Sequence, residues 1–315
     1  MRKARILAEH TGHYHVILKA TGPQFLFRED ADKQAFQGIL ERSARFSGVG
    51  VLAYALLDNH FHILVRVPER ESVPDDEFLA RVEALYGHDR AAKLFDRWDR
   101  WTGKGRAAEV ALERDRLLRR MHDLGQFMKT LKEWHSRAYR EAHGWEGTLW
   151  RGRYKSILVC ESFELFRLLA LYIAMNPVRA GIVRRGTDSP WTSFGQYGKS
   201  GSFGDRCHRA LLQELARLAG TEGTDSIEKG FARAITRAEE VPREAVRAKI
   251  GRGESLSLEE MLVCRVHALS NGRALGERQG IESVPIKRKH PTPLAQCNVA
   301  LFSATRVRGM PLTVA

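Results

Sequence analysis

Apolar and polar positions change period several times along this chain, and each change marks an element. Residues 13–20, His-Tyr-His-Val-Ile-Leu-Lys-Ala, form an apolar, β-branched run that predicts a first strand. Phe36, Ile39, Leu40, Ala44 and Phe46 recur at helical spacing and predict a helix over 31–47. Runs 49–57 and 60–67 predict two further strands. They meet at Asp58-Asn59, residue types that tolerate the positive φ of a primed hairpin turn. Strand, helix, strand, strand is half of a ferredoxin-like sheet. Charged helical stretches follow a polar linker from Glu69 to Asp76, at about 77–87, 89–98 and 107–142. The last carries Leu124, Phe127, Met128, Leu131, Trp134 and Tyr139, a stripe expected to pack on the sheet.

Residues 147–160 predict another strand. A helix then starts with Ser162 as N-cap and ends at Asn176, because the residue before Pro177 avoids the α region. Residues 199–205, rich in Gly and Ser, predict a linker, and 206–283 read as mostly helical. The tail 284–315 holds four prolines and little periodicity. The expected fold is α+β: a ferredoxin-like antiparallel sheet with helices on one face. A helical insertion spans about 73–120, and a mostly helical C-terminal extension with an irregular basic tail covers 201–315.

Composition narrows the partner. Among 315 residues, Lys and Arg number 51 against 38 acids, a formal charge of +13. That excess favours a polyanionic partner, with plain solubility charge and an anionic membrane surface as the alternatives. Hydrophobic content of 43% and charged content of 28% suit a globular protein, and no apolar run is long enough to span a bilayer. The N-terminal stretch lacks the apolar core of a signal peptide. Cys160, Cys207, Cys264 and Cys297 are scattered without a CxxC pair, so they read as reduced thiols of a cytoplasmic protein.

His60-Phe61-His62 lies inside the third predicted strand. Alternate strand residues share a face, so the two imidazoles point the same way and can hold one metal ion. The plain alternative is a strand with two satisfied histidines. Tyr172 and Asn176, four residues apart, share a helix face. If that face meets the histidine strand, two nitrogens, an amide oxygen and a phenol surround one point. A metal there would polarise a phosphate that the phenol attacks. The plain reading of Tyr172 is a core tyrosine among Leu165, Leu168, Leu169 and Ile173, and that of Asn176 is a helix-end residue.

Four segments in order carry a family resemblance: Leu57 to Val65, Leu149 to Ser156, Tyr172 to Val183, and Trp191-Thr192-Ser193-Phe194. Together they resemble the HUH tyrosine transposases, in the branch associated with repetitive extragenic palindromes. The resemblance covers roughly residues 1–200. It implies that Tyr172 is the nucleophile and that His60, His62 and Asn176 bind one divalent metal, Mg²⁺ or Mn²⁺. It also implies a partner of single-stranded DNA with hairpins, cleaved with retention of the 5′ end on the tyrosine. Relatives of this kind can place the tyrosine from a partner chain, so a homodimer is compatible with it. A nucleoid-associated cytoplasmic protein is the expected setting. Two other readings stay open: a non-catalytic DNA- or RNA-binding regulator that retains the fold, and a hydrolytic metallonuclease.

Three further features remain. Trp150, Arg151, Arg153, Tyr154 and Lys155 interleave aromatics and bases, which suits unpaired bases and phosphates, and Tyr154 is the rival nucleophile. Arg179 joins them as a DNA contact, while Lys19 and Arg66 are phosphate contacts or plain surface. His13-Tyr14-His15 repeats the spacing of the triplet without its turn and reads as a strand start with an exposed first histidine. Ala268 to Gly276 resembles a helix, Gly turn and helix, a weak sign of a second DNA-binding element.

Overall fold

The computed structural model describes residues 5–22, 26–266, 269, 274–276, 285, 299–303, 306–307 and 312–314. In chain order the elements are β1 (Gly12–Lys19), α1 (Asp30–Ser47), β2 (Gly50–Leu57), β3 (His60–Val67), α2 (Asp75–Tyr86), α3 (His88–Gly103), α4 (Ala107–Leu118) and α5 (Leu124–His143). There follow β4 (Lys155–Val159), α6 (Phe163–Ala174), α7 (Asn176–Arg179), α8 (Phe203–Ala219), α9 (Asp225–Glu239), α10 (Arg243–Gly251) and α11 (Leu258–Leu262). Five short strands end the series: β5 (Cys264–Val266), β6 (Ala274–Gly276), β7 (Val299–Ser303), β8 (Arg306–Val307) and β9 (Leu312–Val314). Among the described residues no helix is long and apolar enough to cross a membrane. The chain folds as two units: Met1–Phe27 with Val51–Val65 and Trp150–Ala315, and Arg28–Gly50 with Arg66–Leu149.

The first unit holds a sheet of order β2-β3-β1-β4-β6-β7-β8. β1 pairs antiparallel with β4, His15 opposite Ile157. The expected all-antiparallel sheet is corrected here: β6 runs parallel to both β4 and β7. β2 and β3 are joined at Asp58-Asn59, but His122 is the only described non-glycine with positive φ, so the turn is not a primed one. Its carbonyls are fixed instead by tertiary bonds, from Ala20 N to Asn59 O and from Phe27 N to Asp58 O. The other side of β2 is covered by the segment around Thr192, which bridges to Ala55 and shields that edge.

α6 is apolar all round from Leu168 to Ala174, as a helix buried between layers must be. Leu165, Phe166, Leu169 and Ile173 share one core with Leu64, Ile157 and Val159 of the strands, and with Leu211, Leu215, Phe231 and Ile235 of α8 and α9. Helices beyond residue 200 therefore pack directly on α6. β4 is shorter than the strand expected over 147–160, since Gly152 takes φ 62° in the turn before it. α6 stops at Ala174 rather than Asn176, and α7 continues for one turn. The expected helical stretch 206–283 ends at Leu262, and the tail contributes strands rather than irregular chain alone. Of the helix-turn-helix resemblance, 268 and 270–273 lie outside the described residues, and 274–276 form a strand, not a helix.

The second unit is helical, α1 to α5. Phe46, Phe78, Val82, Leu85, Trp98 and Met121 form its core. The helix expected over 107–142 is two helices, α4 and α5, and Asp123 caps the second by accepting from Gln126 N at 2.8 Å.

Candidate active site: a histidine chain beside a buried tyrosine

His60, His62 and Leu64 alternate on β3, and Tyr172 comes to that face from α6. The His60 and His62 rings lie 5.1 Å apart, and the Tyr172 ring lies 6.2 Å from that of His62. His62 and Tyr172 are both buried, while His60 is partly exposed.

Hydrogen bonds decide which nitrogens are free. His15 Nδ1 lies 2.7 Å from the Leu269 carbonyl, which only accepts, so that nitrogen carries the proton. A neutral imidazole has one such proton, so His15 Nε2 accepts. His62 Nδ1, 2.9 Å away, must donate to it, which leaves the His62 Nε2 lone pair bare. His60 Nδ1 lies 2.7 Å from Asn59 Oδ1, which likewise leaves the His60 Nε2 as an acceptor. Burial holds both inner rings neutral: it lowers His15 to about 4, and it pushes His62 well below its ordinary value. The positive charges of Arg179 and Lys19 push His62 the same way. A neutral imidazole with one nitrogen held by an outer partner and the other turned to accept, as in His62, is the arrangement metal-binding histidines use.

His15 belongs to the His13-Tyr14-His15 run, whose spacing alone reads as a strand start. His13, expected to be exposed, is buried with it. The signal was present, since both have the spacing of the triplet, but only pairing across strands gives His15 its partner.

Asn176 is buried, and its Nδ2 has no hydrogen-bond partner among the described residues. An unpaired buried amide costs about 1–3 kcal/mol. Amide nitrogen and oxygen are interchangeable by rotation, so the same position can present a carbonyl oxygen. By donor chemistry, two imidazole nitrogens and an amide oxygen would suit a divalent ion with its remaining positions left to water and phosphate.

Arg179 departs from its expected place at the surface. Its guanidinium is buried, 3.8 Å above the Tyr172 ring, and donates to Tyr172 O at 2.8 Å and Leu262 O at 2.9 Å. Buried and bonded to two backbone carbonyls, it does not present the exposed cation expected of a DNA contact. Trp150 and Tyr154 are corrected for the same reason: Trp150 packs on Phe27 and Phe61, and Tyr154 lies under the Arg5 guanidinium. The exposed members of that run are Arg151, Arg153 and Lys155. Lys19 and Arg66 are also exposed.

A second group could hold a metal: His13, Glu161 and Glu214. His13 Nε2 lies 3.3 Å from Glu214, whose carboxyl the His13 contact and Arg217 hold down at about 2. Arg217 bonds both carboxylates, at 2.9 and 2.6 Å, so a cation there would have to displace it.

No family model matches the chain, and no curated protein matches it. Among solved structures it is similar to a REP-associated tyrosine transposase bound to a REP hairpin. The two are 14% identical over 64% of this chain and 87% of the other, with a TM-score of 0.41. A likeness at this level leaves the family open, and the functional reading stands on the residues.

Proposed function

We propose that this protein is a metal-dependent tyrosine transposase of the HUH type, which cleaves and rejoins single-stranded DNA beside hairpins. The observation that carries the reading is the Tyr172 ring packed on His62, with His62 held by His15 in the tautomer that bares its Nε2. The order β2-β3-β1-β4 of the four main strands, with α1 and α5 between them in sequence, is that of a ferredoxin-like sheet and supports the same reading. A divalent ion, Mg²⁺ or Mn²⁺, held by His60, His62 and Asn176 would supply a Lewis acid for the scissile phosphate.

The protein's own groups do the rest. Tyr172 Oη attacks phosphorus, and the bond to the 3′ oxygen breaks. The 5′ phosphate stays on the tyrosine, and the departing strand leaves as a 3′-hydroxyl. Rejoining reverses this: a 3′-hydroxyl attacks the phosphotyrosine and the phenol is regenerated. A free phenol has a pKa of about 10. Arg151, Arg153 and Lys155 are the exposed cations that would hold phosphates of the strand. The catalytic part is residues 1–200; α8 and α9 of the extension back α6. Hairpin-bearing DNA in the cytoplasm, at the nucleoid, is the proposed partner and setting.

Tyr172→Phe tests the reading because it keeps the ring and removes only the oxygen. The variant should fold and bind a hairpin-bearing strand, yet give no covalent protein–DNA product on a denaturing gel. Tyr154→Phe should still give it. A product retained in Tyr172→Phe overturns the assignment, and cleavage by the native protein without any covalent product means hydrolysis instead.

A further inference from the structure

The helical unit carries a cavity of about 470 Å³ between α3 and α4. Arg90, Lys93, Arg97, Arg116 and Arg120 line it, against the single acid Glu113. Glu113 is already engaged by Arg97 Nη2 at 2.6 Å and Trp98 Nε1 at 2.7 Å. Arg90 and Lys93 are exposed and make no salt bridge among the described residues. Like charges one turn apart, as Arg90, Lys93 and Arg97 are on α3, destabilise a helix by a few tenths of a kcal/mol per pair. A polyanion in the cavity removes that repulsion. A second cavity of about 340 Å³ shares Tyr86 and Arg120 with the first and adds Lys129 and Arg137. Partly exposed aromatic rings stand where the two meet: Tyr86 and Trp134 lie 5.9 Å apart, and Arg120 holds the Tyr86 hydroxyl at 2.7 Å.

We propose that this cleft is a binding track for single-stranded nucleic acid, its phosphates held by the α3 and α4 cations and its bases stacked on Tyr86 and Trp134. A groove with cations for the backbone and aromatic faces for the bases is how unpaired strands are held without regard to sequence. The recess is concave and too small to seat a double helix, and a flat lipid surface would not reach into it. The inference deepens the proposed single-stranded DNA substrate, but it needs no cleavage.

The test uses the full chain in chelator and a fluorescent 30-nucleotide oligothymidylate, read by anisotropy across a salt series. Lys93→Glu with Arg116→Glu should weaken binding at least tenfold. It should also flatten the slope of log affinity against log salt by about 1.4, the share of two phosphate contacts on a single strand. Lys229→Glu with Arg233→Glu, exposed on α9, makes the same change of net charge elsewhere and should leave the slope near native. Equal loss from both pairs, an unchanged slope in the first, or no binding by the native protein overturns the track. Equal or tighter binding of a 30-base-pair duplex overturns the single-strand assignment. Should the glutamates unfold the unit, as circular dichroism would show, Arg90→Gln with Lys93→Gln repeats the measurement without adding charge. Tyr172→Phe separates the two readings. If it binds the oligonucleotide as the native protein does, while the native protein given Mn²⁺ and a hairpin-bearing strand forms no covalent product, the transposase reading fails and the track stands.

Discussion

A neutral histidine donates from one nitrogen and accepts at the other, so a row of them has a direction. Leu269 O sets His15, His15 sets His62, and the lone pair left over is the one a metal can take. His15→Phe keeps a ring beside His62 but removes the acceptor, freeing His62 to rotate or change tautomer. Partners of this kind typically contribute 10–100-fold to metal affinity. The variant should therefore bind Mn²⁺ about 10–100-fold more weakly by calorimetry, with His62→Ala weaker still. Native affinity in His15→Phe would remove His15 from the site. The two triplet histidines were legible because strand alternation puts residues two apart on one face. The role of His15 was not, because it depends on which strand lies beside β3, a long-range pairing that local spacing does not encode. Burial misled in the opposite sense at Trp150, Tyr154 and Arg179: aromatics interleaved with bases look alike whether they stack on a ligand or on the core.

Elements meet at this site through a break in a helix. Pro177 has no N–H to give to Ile173 O, so α6 cannot run on unchanged, and a fresh turn begins at Asn176. Arg179 closes the gap by donating to Tyr172 O, and it ties the junction to α11 through Leu262 O. Arg179→Met preserves much of the stem but leaves two buried carbonyls without their donor. A loss of about 2–4 kcal/mol in urea unfolding is expected. A loss under about 0.5 kcal/mol would mean that the carbonyls find other partners and that the junction does not depend on Arg179. The same physics explains which elements could be read ahead. β1, α1, β2 and β3 begin and end within a residue or so of their apolar patterns, because periodicity reports which side is buried. The end of α6, the start of β4 and the split between α4 and α5 were misjudged. Each is set by a single backbone event: a proline, the left-handed Gly152, or the Asp123 cap.

For the whole molecule, +13 of net charge sits around an interior that keeps several histidines neutral. Burial lowers His15 and His208 to about 4 and His135 to about 3. In the unfolded chain each returns to about 6.5. Between those values the unfolded state binds protons that the folded state refuses, so stability rises with pH across the window. Equivalently, it is lost as pH falls from about 6.5 toward 4. Glu214, depressed to about 2, adds a loss of the same sign only below its ordinary carboxylate range, so near pH 5 the histidines dominate. His208 isolates the effect, since it is walled by Phe194, Tyr197 and Phe231 and its Nδ1 has no hydrogen-bond partner among the described residues. Phenylalanine suits those aromatic walls and does not titrate. On going from about pH 7 to about pH 5, the native protein should lose about 2 kcal/mol more than His208→Phe from this group alone. Urea unfolding of both proteins at the two pH values measures the difference. Equal losses would mean that His208 takes up its proton in the folded state, and that its pocket is open to water.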